Sequence, residues 1–160
     1  MDKLYLTFGS KDYLLGLADR TNVSDIQFIS KPGQSQFGII SREILAPNAN
    51  PIELDIEQEY AKRIKGPELI GLFYFIGEDK QAEIAKKTLE IHRDELKRLG
   101  AHGSAIWAKE HKYLHRNVLL VQLDDAAAYE HFSHSKIIQG ISADFYSSFN
   151  VLYADGFDQD

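Results

Sequence analysis

The sequence predicts an α+β protein in which a βαββαβ module follows a smaller α+β segment. From residue 69 to residue 153, the patterns follow the order strand, helix, strand, strand, helix, strand. Two of these strands, LIGLFYFI and NVLLVQL, have consecutive apolar residues, so both faces of the sheet need burial. Two helices cover only one face, so either a partner subunit or the rest of the chain must cover the other. The order of elements is that of a ferredoxin-like module.

Composition narrows the class of protein. The chain has 160 residues, 44% of them apolar and 26% charged, which is typical of a globular domain. Cysteine is absent, which excludes disulfides, thiolate catalysis and cysteine-ligated metals. The start MDKLYLTF lacks the pattern of a signal peptide and no apolar run is long enough for a membrane span, so we expect a cytoplasmic protein without a membrane partner. The net charge of −6 argues against nucleic acid as a partner.

The first half predicts a strand, a helix and a hairpin. Leu4, Leu6 and Phe8 alternate with other residues, as in a strand. Ser10 is suited to be the N-cap of a short helix that follows. The alternating runs DIQFIS and QFGIIS, joined by KPGQS, predict a hairpin. Because these strands carry apolar residues that a lone segment of this size can hardly bury, we expect the segment to pack on the module.

A second helix is predicted after the loop APNANP. Asp55 and Gln58 have the spacing of a capping box, and Ile56, Tyr60 and Ile64 form an apolar stripe behind it. Gly66-Pro67 would end this helix. The predicted organisation is therefore an N-terminal extension at 1–66, the module at 67–154 and an acidic tail at 155–160.

The module begins with the strand at 69–76, followed by a long amphipathic helix. Its apolar stripe has helical spacing and includes one histidine: Ala82, Ala85, Leu89, His92, Leu96 and Leu99. Strands near 102–110 and 115–123 follow, and Asp124 or Asp125 is suited to be the N-cap of the helix DAAAYEHFSHS. A helical turn at 136–141 and a last strand in SSFNVLYA complete the module.

Two short motifs indicate a family. LYxxxG occurs at the start, in MDKLYLTFGSKDYLL, and AYEHFxxS occurs in the second module helix. With the βαββαβ order, the chain resembles the TRAP/haem-degrading monooxygenase group of the antibiotic biosynthesis monooxygenase (ABM) superfamily. The resemblance implies a dimeric α/β barrel, in which the sheets of two subunits pack together. It therefore implies a homodimer through the sheet face that the helices leave bare, where Leu119 or Leu120 would contact the partner subunit.

The chemistry of the haem-degrading members does not carry over to this chain. The resemblance implies an Asn on the first module strand, a Trp in the second helix and a proximal His ten residues later. Here the Asn position falls on Leu72 or Phe73, the Trp position on Phe132 and the His position on Ser142. A serine hydroxyl is a poor axial ligand for haem iron. We therefore predict no cofactor, with haem as the alternative, and no triad-type haem degradation.

Other residues are candidates for a pocket or a metal site. Tyr74 beside Phe73 could line an aromatic cavity, and Trp107 packs either in a core or on a ligand. His92, on the inner stripe of the long helix, is a core or rim histidine or a substitute haem ligand. His131 and His134 have the i,i+3 spacing that permits joint metal binding, but no third ligand is at a firm spacing, so no metal site is predicted. The candidate pocket is thus Leu72, Phe73, Tyr74, His92, Trp107, Phe132 and Ser142.

Three functions compete at this point, one of which is a purely structural interaction domain. The first is a non-haem ABM-like protein that binds a small apolar ligand or has a regulatory or stress role. The second is a monooxygenase, either haem-degrading through a displaced histidine or cofactor-free. The motifs of phosphate loops, GxSxG nucleophiles and HExxH metal sites are absent, so none of these enzyme classes is indicated. Whether the protein is an enzyme stays open, and we expect that it is not a haem-degrading enzyme of the triad type.

Overall fold

The structure is a computed structural model that describes residues 2–31, 33–61, 69–99, 105–113 and 115–157. The strands are β1 (Lys3–Gly9), β2 (Ile26–Ser30), β3 (Phe37–Ser41), β4 (Ile52–Ala61), β5 (Leu69–Ile76), β6 (Ala105–Glu110), β7 (Arg116–Leu123) and β8 (Ser147–Asp155). The helices are α1 (Lys11–Arg20), α2 (Asp79–Ile91), α3 (Arg93–Arg98), α4 (Ala126–Ser133) and α5 (Lys136–Ala143). The predicted βαββαβ order of the module is therefore confirmed.

The strands form one closed barrel in the order β1-β3-β2-β8-β5-β7-β6-β4. The N-terminal half contributes β1–β4 and the module contributes β5–β8, so the rest of the chain covers the second face of the module sheet. The prediction of a barrel built from two subunits needs correction in this respect, because a single chain closes it. The barrel interior is apolar and includes Leu4, Leu6, Ile29, Ile40, Leu54, Ile56, Ile70, Leu72, Ile106, Val118 and Leu120.

The barrel closes at a short seam between β2 and β8. Only Ile29 with Asp155 and Ser30 with Ala154 are paired there. Side chains reinforce the seam, since Gln27 Nε2 donates to Asp155 Oδ1 at 2.9 Å and Ser30 Oγ donates to the Gly156 carbonyl at 2.9 Å. The rest of the β8 edge, residues 147–153, has no strand partner among the described residues.

The helices of the module cover the outer face of its sheet. Alternation along β5 sends Leu72 into the barrel and Phe73 towards the helices. Phe73 meets a second core built from Phe75, Leu89, Trp107, Leu119, Val121, Phe132, Ile141 and Phe145. The two apolar faces of the module sheet are thus buried in two different cores.

The predicted helix over 55–66 is wrong, because its first seven residues belong to β4. Residues four apart share a face in a strand as well as in a helix, so the spacing of Ile56 and Tyr60 did not distinguish the two. In β4, Ile52, Leu54 and Ile56 alternate regularly, and bulges between Ile56 and Ala61 then change the phase. Ile64 and the Gly66-Pro67 boundary lie outside the described residues.

Two helix starts match the sequence prediction. Ser10 is the N-cap of α1 and accepts a hydrogen bond from the Tyr13 N–H, and Asp125 caps α4 through the Ala128 N–H. The long helix predicted after β5 is instead interrupted at His92, where α2 ends and α3 begins. Among the described helices, none has the length and apolar character needed to span a membrane.

Candidate functional site

Four of the seven predicted pocket residues lie at or beside one cleft. Phe73 and Phe132 belong to the core on the helix side of the sheet, whereas Tyr74 also packs against the barrel core. Phe73, Tyr74 and Ser142 line a cleft of about 120 Å³ between β5, β8 and α5. Phe132 lies next to this cleft, with its ring centroid 5.2 Å from that of Phe73. The rings of Phe73 and Phe132 are both buried, and they fill the space between α4 and the sheet.

The other three predicted residues lie elsewhere. Leu72 is buried inside the barrel, so its assignment to the pocket is wrong, because alternation along the strand turns it away from Phe73. Trp107 is fully buried and stacks on Phe75 with centroids 5.5 Å apart, so it belongs to the core. His92 lies at the junction of α2 and α3, half exposed, with Nδ1 3.4 Å from Glu95 Oε2.

A second cavity borders His92, between α2, α3 and α5. It measures about 490 Å³ and is lined by Gln81, Ile84, Ala85, Thr88, His92, Glu95, Lys136, Ile137, Gly140, Ile141, Asp144 and Phe145. Its floor is apolar, because the buried side chains of Ala85, Ile141 and Phe145 form it. Its rim is polar, with His92 on one side and Lys136 on the other. We call this cavity the helix groove.

Gly140 contributes open space to the helix groove. A Cβ atom at this position would meet nothing within 4 Å. Lys136, one turn earlier on α5, has no ion-pair partner in the part of the chain that the structure describes. The groove therefore combines unfilled volume and an apolar floor with a rim of mixed charge, in which Lys136 lies among Glu95 and Asp144.

The predicted histidine pair gives no metal site. His131 and His134 are both exposed, and His134 Nδ1–H donates to the Glu130 carbonyl at 2.9 Å. Within the described ranges, the ligand-type side chains that come together in a group of three do not include either histidine. That group is formed by Glu53, Asp55 and His111.

Sequence analysis missed this group, which is centred on Lys3. Lys3 Nζ donates to Glu53 Oε2 at 2.6 Å and to Asp55 Oδ1 at 2.5 Å, and His111 Nδ1 lies 3.1 Å from Asp55 Oδ2. Hydrogen bonds to Asp55 and Glu53 raise the pKa of the Lys3 ammonium. Burial pushes the pKa of Asp55 upwards, but hydrogen bonds from Lys3 and His111 outweigh it and leave that pKa below its ordinary value. An ammonium thus holds the centre of this cluster, which links β1, β4 and the end of β6.

A buried carboxylate at one end of the barrel was also missed. Glu110 lies on the inward-facing side of β6, and Arg116 Nε is 3.1 Å from its Oε2. Burial raises the pKa of the Glu110 carboxyl, and Arg116 opposes this rise. Burial, with Tyr153 and Glu110 nearby, raises the pKa of Tyr74 to about 12. The alternation in AIWAKE could have indicated this inward glutamate.

Comparison with known proteins defines the class of fold. No family model and no curated protein matches the sequence. A solved ferredoxin-fold protein from Listeria monocytogenes, related to antibiotic biosynthesis monooxygenases, superposes with a TM-score of 0.78 at 14% identity, covering 99% of this chain and 96% of the other. The predicted ABM-type fold is therefore confirmed.

Two further structures lie within the predicted group. A haem-degrading enzyme from Listeria monocytogenes has a TM-score of 0.76 at 15% identity, over 95% of this chain and 98% of the other. A major regulator of staphylococcal pathogenesis has a TM-score of 0.75 at 16% identity, over 98% of this chain and 99% of the other. The resemblance to the TRAP/haem-degrading group thus holds as a likeness of fold, and at these identities it extends no further.

The cleft at Ser142 does not fit a haem. Pockets for drug-sized ligands measure about 300–1,000 Å³, whereas this cleft measures about 120 Å³. The residue at the predicted proximal position, Ser142, offers a hydroxyl, which binds iron poorly. Phe73 and Phe132 occupy the adjoining space with aromatic rings that pack on each other. No step of haem chemistry is therefore derived at this position.

Proposed function

We propose that this protein binds a small amphipathic anion in the helix groove, in a ligand-binding or regulatory role rather than as a triad-type haem-degrading enzyme. The observation that carries the proposal is the groove itself. Its volume of about 490 Å³ is in the range of small-molecule sites. Its apolar floor suits an alkyl or aromatic body, which gains roughly 25 cal/mol for each Å² of apolar surface removed from water.

Lys136 is the residue that favours an anion. Its ammonium lies at the groove edge without a carboxylate partner among the described residues, so a carboxylate or sulfonate can pair with it. His92 offers a second N–H donor on the opposite wall. Glu95, which also lines the groove, lies against His92. We therefore expect the polar group of the ligand to lie on the Lys136 side and its apolar body over Ile141 and Phe145.

A glycine substitution tests the site without weakening the fold. The anionic probe anilinonaphthalene sulfonate should fluoresce on binding to the wild-type protein, and Gly140→Leu should weaken this binding by tenfold or more. Leucine has a higher helix propensity than glycine, so the variant should be as stable as the wild type or more stable. Gly16→Leu in α1 is the matched control, because its Cβ would meet only ordinary contacts with Arg20. Unchanged probe binding by Gly140→Leu would contradict a site in the groove.

A charge substitution tests the class of ligand. Lys136→Gln should weaken binding of the anionic probe severalfold while leaving the binding of a neutral probe, Nile red, nearly unchanged. Lys87, which is exposed on α2 and absent from the groove lining, gives the control variant Lys87→Gln. Equal losses for the two probes would mean that Lys136 acts through packing rather than through its charge.

The second candidate function is a monooxygenase. Two observations favour it: the fold of the haem-degrading neighbour, and the position of the His92 imidazole on the wall of the helix groove. Hemin added to the pure protein, followed by ascorbate under air and with catalase present, tests it. This function would be established if the wild type and His134→Gln lost the Soret band stoichiometrically and His92→Gln did not. A Soret band unchanged by either substitution would exclude His92 as a substitute ligand.

A further inference from the structure

One edge of β8 has no strand partner along most of its length among the residues that the structure describes. Residues 147–153 pair with β5 on one side, but β2 reaches only residues 154 and 155 on the other. A free strand edge presents unpaired N–H and C=O groups to solvent. This edge spans seven residues, or roughly 23 Å at 3.3 Å per residue.

The edge lacks the devices that keep monomeric proteins apart. Natural edge strands carry charges, prolines or bulges that discourage pairing with another chain. The free segment, SSFNVLY, contains no charged residue and no proline. Four of its residues, from Ser147 to Asn150, are exposed. These features are typical of an edge strand that pairs with another chain.

Exposed aromatic side chains lie along the same edge. Phe149 is 46% exposed and stacks on Tyr74 with ring centroids 4.7 Å apart, and Tyr146, just before the strand, is 75% exposed. If an aromatic side chain offers about 200 Å², these two expose on the order of 240 Å² per chain. Two copies would bury about twice this area, a substantial part of the roughly 1,600 Å² of a standard interface.

We propose that β8 pairs with β8 of a second copy of this chain, antiparallel about a two-fold axis at Asn150. Asn150 is the middle residue of the free segment, so this register uses its whole length. It places Phe149 opposite Val151 of the partner subunit, and Val151 opposite Phe149 of the partner subunit. Aromatic–β-branched pairs across strands each stabilise a sheet by roughly 0.2–1 kcal/mol. The segment is therefore complementary to itself, as an isologous interface requires.

This interface differs from the one that the sequence predicted. The predicted homodimer used the inner sheet face, where Leu120 lies, but β1–β4 of the same chain cover that face. Pairing through β8 leaves both cores of each subunit intact and joins the two barrels edge to edge. The helix groove, on the far side of α5, stays open in each subunit, so the assembly does not depend on the proposed ligand.

The register makes a charge-exchange experiment possible. In sedimentation velocity at tens of micromolar, the wild-type protein should be a dimer. Phe149→Glu and Val151→Lys should each be monomeric, or at least tenfold weaker in association. Mixing these two variants should restore a dimer, because the introduced carboxylate then faces the introduced ammonium across the two-fold axis.

Controls separate the interface from general effects. Ile91→Glu changes a side chain that is 78% exposed at the end of α2, outside the paired segment of β8. This variant should remain a dimer. Unchanged far-UV circular dichroism and thermal midpoints should show that each variant is folded. A monomeric wild type at tens of micromolar would overturn the proposal. Dimers that persist in both single variants, or variants that fail to associate on mixing, would also overturn it.

Discussion

Leu120 allows a direct test of the barrel that a single chain closes. Its side chain is 3% exposed and packs among residues from both halves, including Leu4 and Ile40. Leu120→Ala removes three carbon atoms, worth about 2.4 kcal/mol of transfer free energy at 0.8 kcal/mol each. The residue borders a cavity of about 100 Å³, which the substitution enlarges. Adding the cavity term gives an expected loss of about 3–4 kcal/mol.

Urea denaturation, followed by circular dichroism and by fluorescence of Trp107, measures this loss. For a domain of this size, 1 kcal/mol shifts the thermal midpoint by about 2–4 °C, so the expected decrease is roughly 6–16 °C. Leu119→Ala is the matched variant, because it removes the same atoms from the opposite face of the same strand. Both variants should lose stability, and the loss should be the same at low and at high protein concentration.

The result that would refute this reasoning is specific. If the face of Leu120 met a partner subunit instead of β1–β4, the loss in Leu120→Ala would depend on protein concentration, whereas that in Leu119→Ala would not. A loss below about 0.5 kcal/mol, which is typical of exposed sites, would also contradict the buried position of Leu120. Ile91→Ala, at an exposed site, sets that baseline.

Four further predictions concern the core, two carboxylates and a helix cap. Phe132→Trp introduces the indole that the family resemblance implies. Because Phe132 is fully buried, we expect overpacking to lower the free energy of unfolding by about 1–3 kcal/mol in urea denaturation. A more stable variant would mean that there is spare space beside α4. The folded-state pKa of Asp55 is depressed, so its stabilisation is present above its ordinary pKa of 3.8 and is lost as pH falls through the folded value; Asp55→Asn should flatten this acid limb in denaturation series over pH. The folded-state pKa of Glu110 is raised above its ordinary 4.5, so its contribution to stability decreases as pH rises from 4.5 through the folded value. In Glu110→Gln, the free energy of unfolding should no longer decrease over this pH range. Asp125→Ala should cost about 1 kcal/mol, since its side chain caps the Ala128 N–H at 2.8 Å, and Asp125→Ser should recover most of that loss.

Local chemistry made much of the fold predictable. Ser10 and Asp125 lie where a helix start needs an oxygen, and the structure has both as N-caps. The doubly apolar runs in β5 and β7 correctly indicated two buried faces. These signals depend only on residues that are close together in the sequence, so they can be recognised from one sequence without knowledge of the fold.

What could not be predicted depends on contacts between distant residues. The stripe of Ile56 and Tyr60 fits a helix and a strand equally well, and only pairing with β1 and β6 selects the strand. The family resemblance gave a barrel but not its intramolecular closure. Lys3 meets Glu53 and Asp55 from 50 and 52 residues away, so no local spacing announces that cluster.

The candidate site was predictable in part for a related reason. Phe73, Tyr74 and Ser142 meet as the resemblance implied, because the βαββαβ order brings β5 and α5 together. His92 was placed on the inner stripe because its spacing is helical, but the break between α2 and α3 turns it to the groove rim. Gly140 and Lys136 could not be predicted, because neither the open space beside a glycine nor the groove that Lys136 borders has a signature in the sequence.

The short seam between β2 and β8 has a consequence for synthesis of the chain. Ser30 and Gly156, which are bonded across the seam, lie 126 residues apart. At a translation rate of 5–20 residues per second, β2 waits roughly 6–25 s on the ribosome before its partner strand exists. During that interval the module sheet lacks its last strand, β8, so the barrel cannot close over the apolar faces of β1–β3. Codon usage and chaperone supply between these two points should therefore affect the yield of folded protein more than they do in a barrel closed by neighbouring strands.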